Sequence, residues 1–167
     1  MKLYATLLVA LAVGAGTPVS WHTYRGDHLS LRYPPSWTAT ARPLTAVTSP
    51  GQAIAIGSYR FPTNAAGADG CEPKEALDAI PVGGAFIFGW DYGQLPQVEL
   101  RKSFPRQPRH FRLAGLANYE CMGHSYMLRF QAAGRAFQIH IYLAPKATAA
   151  TRATVLRILD SFHANKL

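Results

Sequence analysis

The clearest pattern in the chain lies between residues 125 and 143. Tyr126, Leu128 and Phe130 alternate with Met127, Arg129 and Gln131, and Phe137, Ile139, Ile141 and Leu143 alternate with Gln138, His140 and Tyr142. Successive side chains of a strand point to opposite faces, so each run has one apolar face. Ala133-Gly134 separates the runs, and glycine supplies the backbone freedom of a tight turn. The pattern predicts a β-hairpin, 125–132 with 136–143. Setting Phe130 opposite Phe137 also sets Leu128 opposite Ile139 and Tyr126 opposite Ile141, which gathers the apolar residues on one face. A slip of one residue destroys that match, so a loop of two or four residues is expected rather than three. The second face, with Met127, Arg129, Gln138, His140 and Tyr142, is mixed in character and is expected to be partly covered.

After Pro145 the period changes. Val155, Ile158, Leu159 and Phe162 recur at helical spacing, which predicts a helix over 151–162 whose apolar stripe needs the hairpin's apolar face. Arg157 and Asp160 stand three apart, at a spacing that allows a weak ion pair. Earlier in the chain, 21–24 and 29–33 flank the turn-like Arg25-Gly26-Asp27-His28 and predict a first hairpin, closed by Pro34-Pro35. Short strands are expected at 37–41 and 53–59, with a loop of small residues at 62–70. A helix should begin at Glu72-Pro73-Lys74-Glu75, with proline and acid in its first turn and Ala76, Leu77 and Ile80 facing inward. The most apolar strand is expected at 85–92. Residues 94–108 hold three prolines and read as an irregular connection, followed by short extended pieces at 109–113 and 117–121. Hairpins outnumber crossovers. The fold class expected is therefore α+β, a mainly antiparallel sheet covered by helices, in one domain over 17–167.

The beginning of the chain adds a compartment. Lys2 precedes an uncharged stretch over 3–16, with small residues at Val13-Gly14-Ala15 and then Thr17-Pro18. This predicts a secretory signal over 1–16 and a secreted or extracytoplasmic mature chain starting near Thr17. The stretch is shorter than a membrane span needs, and no transmembrane span is expected in the mature chain. The chain has two cysteines, Cys71 and Cys121. An even count in an exported protein favours a disulfide between them over two buried thiols.

Charge then separates the two halves. The chain carries a net +8, and from residue 101 onward eleven Lys/Arg face only two acids, Glu120 and Asp160. Much of the excess sits in Arg101, Lys102, Arg106, Arg109 and Arg112, with His110 among them. These five are candidate anion-binding residues, exposed on a proline-bearing segment. The plainer reading is a solubilising surface. Nucleic acid is not an expected partner for an exported protein. A protein, an acidic envelope polymer or an anionic lipid is.

Candidate chemistry is sparse. No G-x-S-x-G, phosphate loop or dinucleotide fingerprint is present, and the six histidines lack metal-ligand spacing. His124 and Ser125 are neighbours on a strand and so point to opposite faces. Asp91 is the one acid in an aromatic setting, beside Trp90 and Tyr92, and a strand-end acid in water or paired with an arginine is its expected state. No catalytic residue, cofactor or metal is expected. The reading is an exported non-catalytic binding or assembly module. The alternative is a small secreted hydrolase or transferase with an unrecognised site, which an ordered cleft joining a histidine to Asp91 or Glu120 would favour.

Leu29-Ser30-Leu31-Arg32-Tyr33-Pro34-Pro35-Ser36-Trp37 resembles the opening strand and Tyr-Pro-x-x-Trp turn of PsbP-like domains. The closing strand pair and the helix end Ile158-Leu159-Asp160-Ser161-Phe162 are similar to theirs as well. Exported bacterial PsbP-like proteins also carry a cysteine before a helix, as at Cys71, and a segment like Tyr119-Glu120-Cys121 before the hairpin. The resemblance spans most of residues 21 to 163. It implies a long antiparallel sheet and, since relatives of this fold act mostly in binding or assembly, a role without catalysis.

Overall fold

A computed structural model describes residues 20–63 and 70–165. The expected signal segment and the start of the mature chain lie outside those residues. In chain order the elements are β1 (His22–Arg25), β2 (Leu29–Tyr33), β3 (Thr38–Ala39), β4 (Gly51–Gly57), α1 (Lys74–Asp78), β5 (Ala85–Asp91), α2 (Gln97–Ser103), β6 (Leu116–Tyr119), β7 (Gly123–Ala132), β8 (Arg135–Leu143), α3 (Ala149–Asp160) and β9 (His163–Ala164).

The strands form two antiparallel sheets among the described residues. One is six-stranded, in the order β3-β4-β5-β8-β7-β6, and the other three-stranded, in the order β1-β2-β9. A mainly antiparallel α+β fold is therefore observed. The cover differs from the expectation of helices alone, because the opening hairpin does not join the large sheet. It pairs instead with β9, through Leu29 with Ala164 and Ser30 with His163, and packs on the large sheet beside α3.

The hairpin of β7 and β8 takes the register that its apolar face dictates. Phe130 opposes Phe137, Leu128 opposes Ile139 and Tyr126 opposes Ile141, around a two-residue turn at Ala133-Gly134. Both turn residues have positive φ, 52° and 80°, the combination that lets a two-residue turn follow the strand twist. The apolar face continues across Ile87 and Ile56 and closes against Leu29, Leu31, Val155, Ile158, Leu159 and Phe162. α3 begins at Thr148, whose side chain accepts a hydrogen bond from Thr151 N. Arg157 does not pair with Asp160. Its guanidinium lies 4.5 Å from the Trp21 ring centroid, and Asp160 binds elsewhere.

The opposite face of the large sheet is covered as well. Phe86, Phe88, Trp90 and Tyr142 pack there with Ala76 of α1, Leu44 and Met122. β5 is thus buried on both sides, which explains its continuous apolar run. Cys71, just before α1, is bonded to Cys121 in the β6–β7 turn, with Cα atoms 5.3 Å apart. The staple holds this second cover to the sheet. Among the described residues no helix is long and apolar enough to cross a membrane.

Candidate functional site

The connection after β5 departs most from expectation. Residues 94–108 are not irregular throughout, because 97–103 form α2. Pro96 stands just before the first turn, where a missing N–H costs nothing, and Pro105 falls beyond the last helical residue. Leu100 and Phe104 anchor the segment on Ala136, and Arg101 and Lys102 lie on the exposed side of the helix.

Beyond α2 the chain runs along β7. Gln131 N donates to Pro105 O at 2.7 Å, and Gln107 N donates to Gln131 O at 3.0 Å, which fixes Arg106 beside Gln131. Further on, Phe111 is buried against Phe130 with ring centroids 5.1 Å apart. Phe111 N donates to Asp160 Oδ1 at 2.8 Å, and His110 Nδ1 lies 3.3 Å from Asp160 Oδ2. No strand forms at 109–113, but the segment is pinned at Leu100, Phe104, Phe111 and the β7 edge. Arg101, Lys102, Arg106, Arg109 and Arg112 project from it, all exposed. Among the described residues none of the five forms an ion pair with a carboxylate. Among the described residues the one polar partner seen for their side chains is Gln97 Oε1, which accepts from Arg101 Nη2 at 3.3 Å.

Two arrangements that could support catalysis go beyond what the sequence pattern shows. The first is a buried pair, Ser125 Oγ 2.8 Å from His140 Nδ1. The hairpin register places Ser125 opposite Tyr142, so Ser125 and His140 are diagonal neighbours on one face. The residue directly opposite His140 is Met127, and a diagonal contact of this kind is not marked by neighbouring residues such as His124 and Ser125. The proton positions follow from the neighbours. Arg129 Nε donates to Gln138 Oε1 at 2.9 Å, which turns the Gln138 amide nitrogen toward His140 Nε2 at 2.8 Å. An amide nitrogen only donates, so Nε2 accepts, and the ring proton sits on Nδ1 and is given to Ser125. His140 therefore has no lone pair toward the hydroxyl and cannot act as its base. Burial, with the Arg129 charge second, lowers the His140 pKa to about 4. Both residues are fully buried, so the pair is a satisfied structural network.

The second is a polar cleft of about 440 Å³ at the end of β5, where His28 and Asp91 share one lining with Arg25, Asp27, Tyr92 and Arg135. This is the kind of cleft that would favour an enzyme, but Asp91 is already engaged. Its Oδ2 accepts from Arg135 Nε at 2.9 Å and lies 2.9 Å from Arg135 Nη2 in an ion pair, and its Oδ1 accepts from Gly93 N at 2.7 Å. The carboxylate holds the turn after β5 to the start of β8 and is not free to take a proton from a substrate. His124 and His140 lie on opposite faces of β7 and β8. No cluster of three or more metal-ligating side chains occurs among the described residues.

Compared with protein-family models and with curated proteins, the chain matches none.

Proposed function

We propose that this is an exported, non-catalytic binding module of PsbP-like fold, which contacts an anionic component of the cell envelope through the basic face of residues 101–112. One observation carries the reading: five exposed cations on a segment pinned at several points, without a carboxylate partner among the described residues. A solubilising surface gains from interspersed charges of both signs, whereas residues 101–112 hold no acid and the one carboxylate bonded into them, Asp160, is taken up by Phe111 N and His110. The pinning matters because a fixed array loses less freedom on binding than a floppy one. Two further features support the reading. The disulfide suits an oxidising compartment. The Tyr33-Pro34-Pro35-Ser36-Trp37 turn, closed by Trp37 N donating to Pro34 O at 3.0 Å, is consistent with the PsbP-like resemblance.

The test is retention on anionic liposomes and on an acidic glycopolymer at low and moderate salt. Wild type is retained at low salt and released as salt rises, because exposed charges are screened within about 10 Å at 0.1 M. A variant with R106S, R109S and R112S is retained weakly at any salt. Equal retention of the two proteins, or retention indifferent to salt, refutes the reading.

A further inference from the structure

The five cations are not equivalent. Arg106, together with Gln131, lines both of two open depressions. The first, about 430 Å³, is lined by Arg101, Arg106, Gln97, Pro105 and Gln131. The second, about 740 Å³, shares Arg106 and Gln131 with the first and is lined further by Gln107, His163 and Asn165. No aspartate or glutamate lines either one. Arg109 and Arg112 line neither.

The floor of this groove is built rather than incidental. The main chain at Arg106 is held by the two hydrogen bonds that join Pro105 and Gln107 to Gln131. The Gln131 amide donates to Phe104 O at 3.0 Å, and the Gln107 amide donates to Phe162 O at 3.0 Å, so both side chains tie the groove to the core. Arg101 is steadied by Gln97 one turn earlier on α2. A guanidinium offers a planar fork of donors that matches a phosphate or a carboxylate, and Arg101 and Arg106 both line the first depression, with Arg106 also lining the second.

We infer that the groove through Arg101 and Arg106 is the binding site for an extended acidic polymer, whose successive anionic groups lie on either side of Arg106. The inference rests on the proposed function and narrows it to one ligand class and two residues. Two lobes joined at one cation suit a chain with repeated charges, whereas a single small anion would occupy only one. A membrane surface fits less well. An interfacial anchor that is more than electrostatic buries large apolar side chains at the headgroup–acyl boundary beside its cations. The exposed large apolar residues Val82, Tyr92, Val98 and Leu116 line neither lobe.

The experiment compares two variants that remove equal charge, R101S/R106S and R109S/R112S, with wild type. Binding is measured to long-chain polyphosphate, to polygalacturonate, to inorganic phosphate at matched anion concentration, and to phosphatidylglycerol vesicles. All four arginines are exposed, so both variants keep the unfolding midpoint of wild type. The expected result is a loss of affinity for the polymers of at least about tenfold in R101S/R106S, and a change within about twofold in R109S/R112S. Inorganic phosphate and vesicles bind wild type more weakly than the polymers do. Equal losses in the two variants overturn the groove while leaving the basic face as a diffuse binding surface. Tighter binding to vesicles than to polymers overturns the ligand class. No binding of wild type to any of the four probes overturns the groove and the proposed function together.

Discussion

His140 shows how far one side chain's neighbours decide its chemistry. The ring stands between Gln138, which can only donate to it, and Ser125, which must then accept. Arg129 settles the direction of the whole chain by holding the Gln138 oxygen. The consequence is measurable through stability. Burial first, and Arg129 second, lower the His140 pKa from 6.5 to about 4. Unfolding restores the ordinary value. Between those two values the unfolded chain binds a proton that the folded chain does not, so stability falls as pH drops through the window and the contribution is fully present above it. The loss over that window is up to about 3 kcal/mol, since each tenfold change in proton affinity is worth about 1.4 kcal/mol. Urea unfolding of wild type and of H140Q from neutral pH to about pH 4.5 isolates it. H140Q is less stable at neutral pH, because the network is broken, but its acid dependence is shallower. An identical acid dependence in the two proteins would show that His140 does not titrate in this window.

Among the elements, the β7–β8 hairpin is the most legible in the sequence and α2 the least. The hairpin declares itself because every second residue from Tyr126 to Phe130 and from Phe137 to Ile141 is apolar, and only one register satisfies both runs. The same alternation leaves the second face ambiguous, because what covers it comes from distant chain, Leu44 and Ala76, which no local pattern reveals. α2 is hidden for another reason. It is seven residues long and buries only Leu100, so no periodic stripe announces it among the prolines. The turn of the hairpin, in contrast, is imperfect in a way the backbone exposes. Ala133 adopts φ 52°, a left-handed conformation in which its methyl group crowds the following carbonyl. Asparagine tolerates that conformation and is favoured there before glycine. A133N should therefore raise stability by about 0.5–1 kcal/mol, with the hairpin register unchanged. Denaturant midpoints measure it, and a neutral or lowered midpoint would count against the turn type assigned.

For the molecule as a whole, pattern alone predicts antiparallel strands, a closing helix and a basic second half, but not the division into two sheets. That division depends on β9, a two-residue strand after α3 that draws β2 away from the large sheet through Ala164 and His163. Pairing of that length leaves no signature in composition or period. The cysteines, by comparison, are informative without any local pattern, because a chain with two thiols has one pairing available. The structure gives that pairing a purpose. The six-stranded sheet has a broad cover on one face, formed by α3 and the small sheet. On the other face the cover is thin, with a five-residue helix and a few loop side chains such as Leu44 and Met122. A helix of five residues has no stability of its own. Cys71 precedes that helix and Cys121 sits in the turn leading to β7, so the bond fastens the thin cover across 50 residues of chain. In the chain-entropy model, closing a loop of that size removes about 4 kcal/mol of freedom from the unfolded state. The double variant C71S/C121S should lose about that much, with the loss concentrated where the staple acts. Amide exchange should quicken first at Ala76 and Leu77, and at Tyr142 beneath them, while Ile139 and Ile158 keep their protection relative to the global unfolding limit. Intact mass before and after reduction with alkylation verifies the bond in protein purified without reductant. Two alkylatable thiols without reductant, or a double variant within about 1 kcal/mol of wild type, would mean that the thin cover holds by packing alone.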